Sequence, residues 1–229
     1  MIRAGTSGFS YKEWKGGFYP EKLKNAEMLE YYASQLPAVE INNTFYRMPR
    51  AEVLEGWARK VPTEFRFILK ASRRITHFKR LKDTEEITEY VVSNARILGD
   101  RLGALLFQLP PNFKQDLERL ERFLEIVPDD VRAAFEFRHG SWFDDETYGI
   151  LKAHNRALCL ADTDDSRPDI VSTADWGYLR LRRVAYSAKS LGSWLETIRD
   201  QGWDDCFVFF KHEDEAGGPR MAAKLLSLV

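Results

Sequence analysis

The chain has 229 residues, 44% hydrophobic and 30% charged, with a formal net charge of -1. That size suits one large α/β domain over residues 1–229, with enough apolar material for a sizeable core. The near-neutral balance excludes a global pull on nucleic acid or an anionic membrane, so any basic footprint must be local; no run approaches the ~18 apolar residues of a membrane span.

In chain order, short apolar runs alternate with helical patterns, which predicts parallel βαβ units. The predicted strands fall at about 2–8, 38–46, 65–72, 103–109, 132–138, 157–162, 177–183 and 206–212. The first begins at once after Met1, so no secretory leader is expected. Leu29, Tyr32, Ala33 and Leu36 follow helical spacing, and Leu54, Trp57, Ala58 and Val61 repeat it. Ile87, Tyr90, Val91 and Leu98 predict a longer helix; Leu117, Leu120, Leu124 and Val127 predict another. A helix near 145–155 is expected, and Leu191, Trp194, Leu195 and Ile198 mark a further one. Residues 163–175 carry no helical pattern, so the unit after the sixth strand should be short or irregular. Gly217-Gly218-Pro219 precedes a last helix, with proline at a first-turn position. Eight such units make a single (β/α)8 TIM barrel; the rival open sheet often carries a G-x-G-x-x-G turn, which Gly5-Thr6-Ser7-Gly8 does not match.

Strand parity is the main functional signal, because successive side chains point to opposite faces. One face of each strand stays apolar, while the other turns polar towards its C-terminal end. The expected ring is Glu40, Asn42, Lys70, Gln108, Glu136, Arg138, Asp162 and Arg180, with Arg182 beyond. In a barrel these would converge at the C-terminal mouth, where barrel enzymes place their sites. An ion-pair layer that only fills the lumen is the bland alternative, and burying unpaired charge costs several kcal/mol. Glu40 and Glu136, three strands apart, should bring their carboxyls to roughly 5–8 Å, a spacing that overlaps acid–base pairs. Glu136 is then a candidate acid or base. Glu40 would hold Lys70 charged, which argues against Lys70 as a Schiff-base nucleophile.

The loops add candidates. Phe9, Tyr11, Trp14, Phe18 and Tyr19 could stack on a sugar or base, or simply pack the first loop down. Arg73, Arg74, His77, Lys79, Arg80 and Lys82 make the third loop basic, and Gly217-Gly218 offers backbone donors at a helix start. His77, His139 and His212 follow strand ends but are scattered, so no metal is expected. Cys159 and Cys206 sit in apolar runs and should be free and buried, as in a reducing cytoplasm.

Several motifs resemble the YecE-like family, known as domain of unknown function 72. They are Tyr11-x-x-Trp14-x-Gly16-x-Phe18-Tyr19-Pro20, Val39-Glu40-Ile41-Asn42-Asn43-Thr44-Phe45-Tyr46 and Phe65-x-Phe67-x-x-Lys70-Ala71-Ser72. Ile75-Thr76-His77, Leu106-Phe107-Gln108-Leu109-Pro110-Pro111 and Phe135-Glu136-Phe137-Arg138-His139-x-Ser141-Trp142 extend the likeness over nearly the whole chain. The resemblance implies a TIM barrel of unassigned activity whose motif residues, Tyr46, His77 and His139 included, gather at the strand ends. Two departures stand out. Where the family commonly has Arg-Leu-His-Gly, this chain has Arg180-Leu181-Arg182-Arg183; where it has Phe-Asn-Asn, this chain has Phe210-Lys211-His212. The mouth should therefore be more basic. Three readings stay open: an enzyme on a small anionic or sugar-like substrate without a cofactor, a nucleic-acid-binding or processing barrel, and a non-catalytic ligand binder. The net charge of -1 argues against the second.

Overall fold

The computed structural model describes residues 1–211 and 216–229. β1 (Ile2–Ser7), β2 (Ala38–Ile41), β3 (Arg66–Lys70), β4 (Leu102–Gln108), β5 (Ala133–Glu136), β6 (Ala157–Asp162), β7 (Trp176–Leu181) and β8 (Asp205–Phe210) close into one barrel in chain order. Every neighbouring pair is parallel, as the β/α alternation predicts. Around it lie α1 (Met28–Gln35), α2 (Ala51–Lys60), α3 (Glu85–Ala95), α4 (Leu117–Ile126), α5 (Asp145–Ala153), α6 (Ala188–Asp200) and α7 (Gly217–Leu226). Between β6 and β7 there is no α-helix, as the patternless stretch 163–175 predicts. Ile170 and Val171 from that stretch pack on the core instead.

Side chains hold several helix starts. Asp116, Asp144 and Ser187 each accept a hydrogen bond from the backbone N–H three residues on, satisfying donors that a helix leaves without partners. Most strands end earlier than the apolar runs suggest. β2 stops at Ile41 because residues 43–45 coil into a 3₁₀ turn, where the Thr44 hydroxyl lies 2.9 Å from the Ile41 carbonyl and 2.7 Å from that of Lys70. β5 stops at Glu136, β7 at Leu181 and β8 at Phe210. The helix expected through Leu98 ends at Ala95, and residues 96–101 form a tighter turn containing Gly99 with positive φ. Tyr90, assigned to the buried face of that helix, is exposed; Thr88, Val91, Val92 and Ala95 form the buried stripe.

Two apolar layers result. The outer one lies between strands and helices and is the larger. The inner one fills the barrel with Ala38, Ile68, Ala104, Leu106, Ala134, Ala157 and Cys159 beside Trp176, Tyr178, Phe207 and Phe209. Its bulk is unevenly shared: β7 and β8 supply the large aromatics, and the facing strands supply mostly small residues. β1 contributes Gly5, where a Cβ would lie 1.9 Å from the Ala38 carbonyl oxygen. That close approach also seats the Tyr32 hydroxyl, which donates to Ala38 O at 3.0 Å and accepts from Thr6 N at 2.9 Å.

The ladders are uneven too. β1 and β8 pair from Ile2↔Cys206 to Thr6↔Phe210, whereas β5 and β6 pair only at Ala134↔Ala157 and Phe135↔Leu158. Beyond these two pairs the strands part towards the C-terminal mouth.

Candidate functional site

At that mouth the inward positions of β2, β5 and β7 meet on one guanidinium. Arg180 donates from Nη1 to Glu136 Oε2 at 2.5 Å and from Nη2 to Glu40 Oε1 at 2.8 Å. Glu40 is 0%, Glu136 3% and Arg180 2% exposed, so all three are removed from water. Glu40 also accepts from the Ser7 hydroxyl (2.7 Å), Asn42 Nδ2 (3.0 Å) and the Tyr178 hydroxyl (2.6 Å). Glu136 accepts from Gln108 Nε2 (2.8 Å) and lies 3.4 Å from Arg138 Nε. Burial alone would raise both carboxyl pKa values, but the charge of Arg180 and the converging donors outweigh it. Glu40 is held below the usual carboxylate range, and Glu136 is pulled down to about 2. The two carboxylates are ionised and fully occupied.

Lys70 departs from the pairing with Glu40 that parity suggests. Its amine donates to Gln108 Oε1 at 2.9 Å and sits 4.2 Å from the centre of the Phe45 ring. Burial and the nearby Arg180 charge lower its pKa to about 8, against the weaker pull of Glu136 and Glu40. Gln108 thus links Lys70 to Glu136 through its two amide ends. His77 packs edge-on against Phe45, with ring centres 4.9 Å apart and Nδ1 2.9 Å from the Thr76 hydroxyl. Burial, then Lys70 and Arg138, push its pKa down.

Asn42, Tyr46, Lys70, Gln108, Arg138, Arg180, Arg182, the Lys211 of the departure after β8 and the unforeseen Ser7 all line one cavity of about 320 Å³. Arg182 projects inward just past the end of β7. Its Nη1 is buried and has no hydrogen-bond partner among the described residues, and burial with the neighbouring Arg180 lowers its pKa. Among the described residues the site carries Lys70, Arg138, Arg180, Arg182 and Lys211 against only Glu40 and Glu136. Among the described residues no three His, Cys, Asp or Glu side chains gather as a metal-binding set.

Other candidates fall elsewhere. Asp162 is not part of the ring: it shares the outer face of β6 with Leu158 and Leu160. There it accepts from Arg183 Nη2 (2.7 Å) and the Tyr186 hydroxyl (2.8 Å). The inward residues of β6 are Ala157 and Cys159, small enough to face Trp176 and Tyr178. His139 turns away to cap the 140–142 turn, accepting at Nδ1 from Ser141 N at 3.1 Å. The first-loop aromatics pack the loop down: Trp14 and Tyr19 are buried, Phe9 and Phe18 join the core, and only Tyr11 reaches the mouth. His212 lies outside the described residues. Parity on β7 groups Tyr178 with Arg180 and Arg182, although the expected ring leaves it out, and the same parity on β1 finds Ser7.

The family model described as "Protein of unknown function DUF72" matches residues 3–229. The UPF0759 protein YunF of Bacillus subtilis (strain 168) is 25% identical over 94% of this chain and 80% of its own length. The UPF0759 protein YecE of Escherichia coli (strain K12) is 31% identical over 62% of this chain and 50% of its own. Among solved structures, a DUF72 family protein from Thermotoga maritima superposes with a TM-score of 0.86 at 30% identity, covering 99% of this chain and 98% of that one. A second, from Enterococcus faecalis, gives 0.78 at 20% identity, covering 100% and 97%. With a family match over almost its entire length, the chain belongs to the DUF72 family of (β/α)8 barrels.

Proposed function

We propose that the barrel mouth binds a small oxyanion, and that the protein is an enzyme in which Lys70 moves a proton on that substrate. The observation that carries this reading is charge excess. Arg180 is consumed by Glu40 and Glu136, and among the described residues Lys70, Arg138, Arg182 and Lys211 face the cavity without an equal number of carboxylates. Cations clustered in one cavity with unspent donors are stabilised by a carboxylate, sulfate or phosphate group. Glu136 does not suit the acid–base role: a carboxylate held near pKa 2 is no proton donor at neutral pH and is a weak base. Lys70, at about 8, exchanges its proton near the physiological range. Glu40, Glu136 and Arg180 act as the rigid frame beneath it.

The test is calorimetric titration with sulfate, which stays dianionic over the range used. Sulfate should bind the folded chain, and its affinity should fall as pH rises through about 8, because Lys70 loses its positive charge there. Lys70→Gln should flatten that pH profile, and Arg182→Met should weaken binding about tenfold. No sulfate binding at millimolar concentration would end the reading. Turnover would then be sought with small organic phosphates and carboxylic acids, where loss in Lys70→Gln separates an enzyme from a ligand binder.

A further inference from the structure

Beside the charged mouth lies a second, larger cavity of about 580 Å³, lined by Glu136, Arg138 and Arg182 on one side and by Phe137, Leu158 and Leu160 on the other. Its position follows from the short β5–β6 ladder, which ends at Phe135↔Leu158. Above that pair the strands diverge, and the cavity runs from inward residues such as Cys159 and Ala161 to outward ones such as Phe137 and Leu160. It is a slot through the barrel wall. The helix-free link after β6 leaves it uncovered: Thr163, Ser166 and Arg167 form its rim, with Arg167 held 4.8 Å from the Trp194 ring. Phe143, 46% exposed, stands at the entrance.

We infer that the ligand of this barrel is an oxyanion joined to a flat apolar group, with the anion in the charged mouth and the apolar group in the slot between β5 and β6. This rests on the reading of the mouth as an oxyanion site and names the class of its ligand. Three observations carry it. Arg138 and Arg182 line both cavities, so the two compartments share a cationic wall. Arg182 Nη1, buried on that wall, has no hydrogen-bond partner among the described residues. The slot beyond it is walled by aromatic and aliphatic side chains and has the volume of a small-ligand site. A bare inorganic anion would leave that apolar volume unused, and a purely apolar molecule would leave the arginines unmatched. An aryl phosphate or carboxylate satisfies both.

The experiment compares methyl phosphate with phenyl phosphate by calorimetry on the whole chain. Phenyl phosphate should bind at least about tenfold more tightly, from burial of its ring. Phe143→Ala removes the entrance wall without disturbing the interior and should reduce that preference severalfold. Ala161→Leu fills the slot and should abolish it, with methyl phosphate affinity unchanged in both variants. Equal affinities for the two esters, with methyl phosphate binding intact, overturn the inference and leave the oxyanion site standing. A phenyl preference that neither variant alters also overturns it, because the ring then sits elsewhere. Failure of both esters to bind removes the oxyanion reading and this inference together.

Discussion

At the scale of single residues, the site is organised by Arg180, a cation spent on the protein's own carboxylates. It spans two buried carboxylates that would otherwise repel one another, and both stay ionised because of it. Removing one partner from such a network leaves uncompensated buried charge. Arg180→Met should therefore destabilise the fold by about 3–5 kcal/mol in urea unfolding at pH 7, and acidification should recover part of the loss as the carboxyls protonate. A variant as stable as the parent would mean that water already screens Glu40 and Glu136. Much of this cluster was legible in the sequence. Alternation alone placed Glu40, Lys70, Gln108, Glu136 and Arg180 on one face of their strands, and they meet. Asp162 departs from the expected ring because polarity at a strand end does not choose the inward face. Lumen volume chooses it instead, and β6 must present Ala157 and Cys159 opposite Trp176 and Tyr178. His139 failed differently. It lies past the end of β5, where strand alternation no longer governs direction and a local cap decides.

At the scale of elements, spacing between neighbouring strands is set as much by missing side chains as by present ones. Gly5 lets β1 approach β2 closely enough for Tyr32 to bond both. Gly5→Ala would drive a methyl group into the Ala38 carbonyl, which is backbone and not the end of a flexible side chain. The expected cost is about 3 kcal/mol, the upper range for overpacking, seen as a lowered unfolding midpoint. An unchanged midpoint would show that the two strands can separate freely. Periodicity predicted the helices well where the buried stripe is wide, as in α4 with Leu120, Phe123 and Leu124. It was less informative for α3, where Thr88 is buried and Tyr90 is exposed. Strand ends were overestimated because apolar runs continue into turns: Phe45 is buried, yet it belongs to a 3₁₀ turn.

At the scale of the whole molecule, the barrel concentrates charge that the composition hides. A chain of formal net charge -1 still gathers Lys70, Arg138, Arg182 and Lys211 at one end, so overall charge is a poor guide to what that end attracts. The closed eight-strand topology was legible because β/α alternation leaves few alternatives. The parting of β5 from β6 was not, because nothing in either run of residues records how far neighbouring strands stay in register.

That parting bears on how the cylinder comes undone. A closed sheet has no free edge, so its opening must begin where two staves are joined most weakly. The Ala134–Leu158 joint is far shorter than the one that binds the first stave to the last. In hydrogen–deuterium exchange the amides along this joint should lose protection before those shared by β1 and β8. Uniform protection around the circumference would contradict it. The same joint flanks the proposed aryl slot, so an occupant of the right shape would also act as a wedge that holds the staves at a fixed separation and slows their exchange.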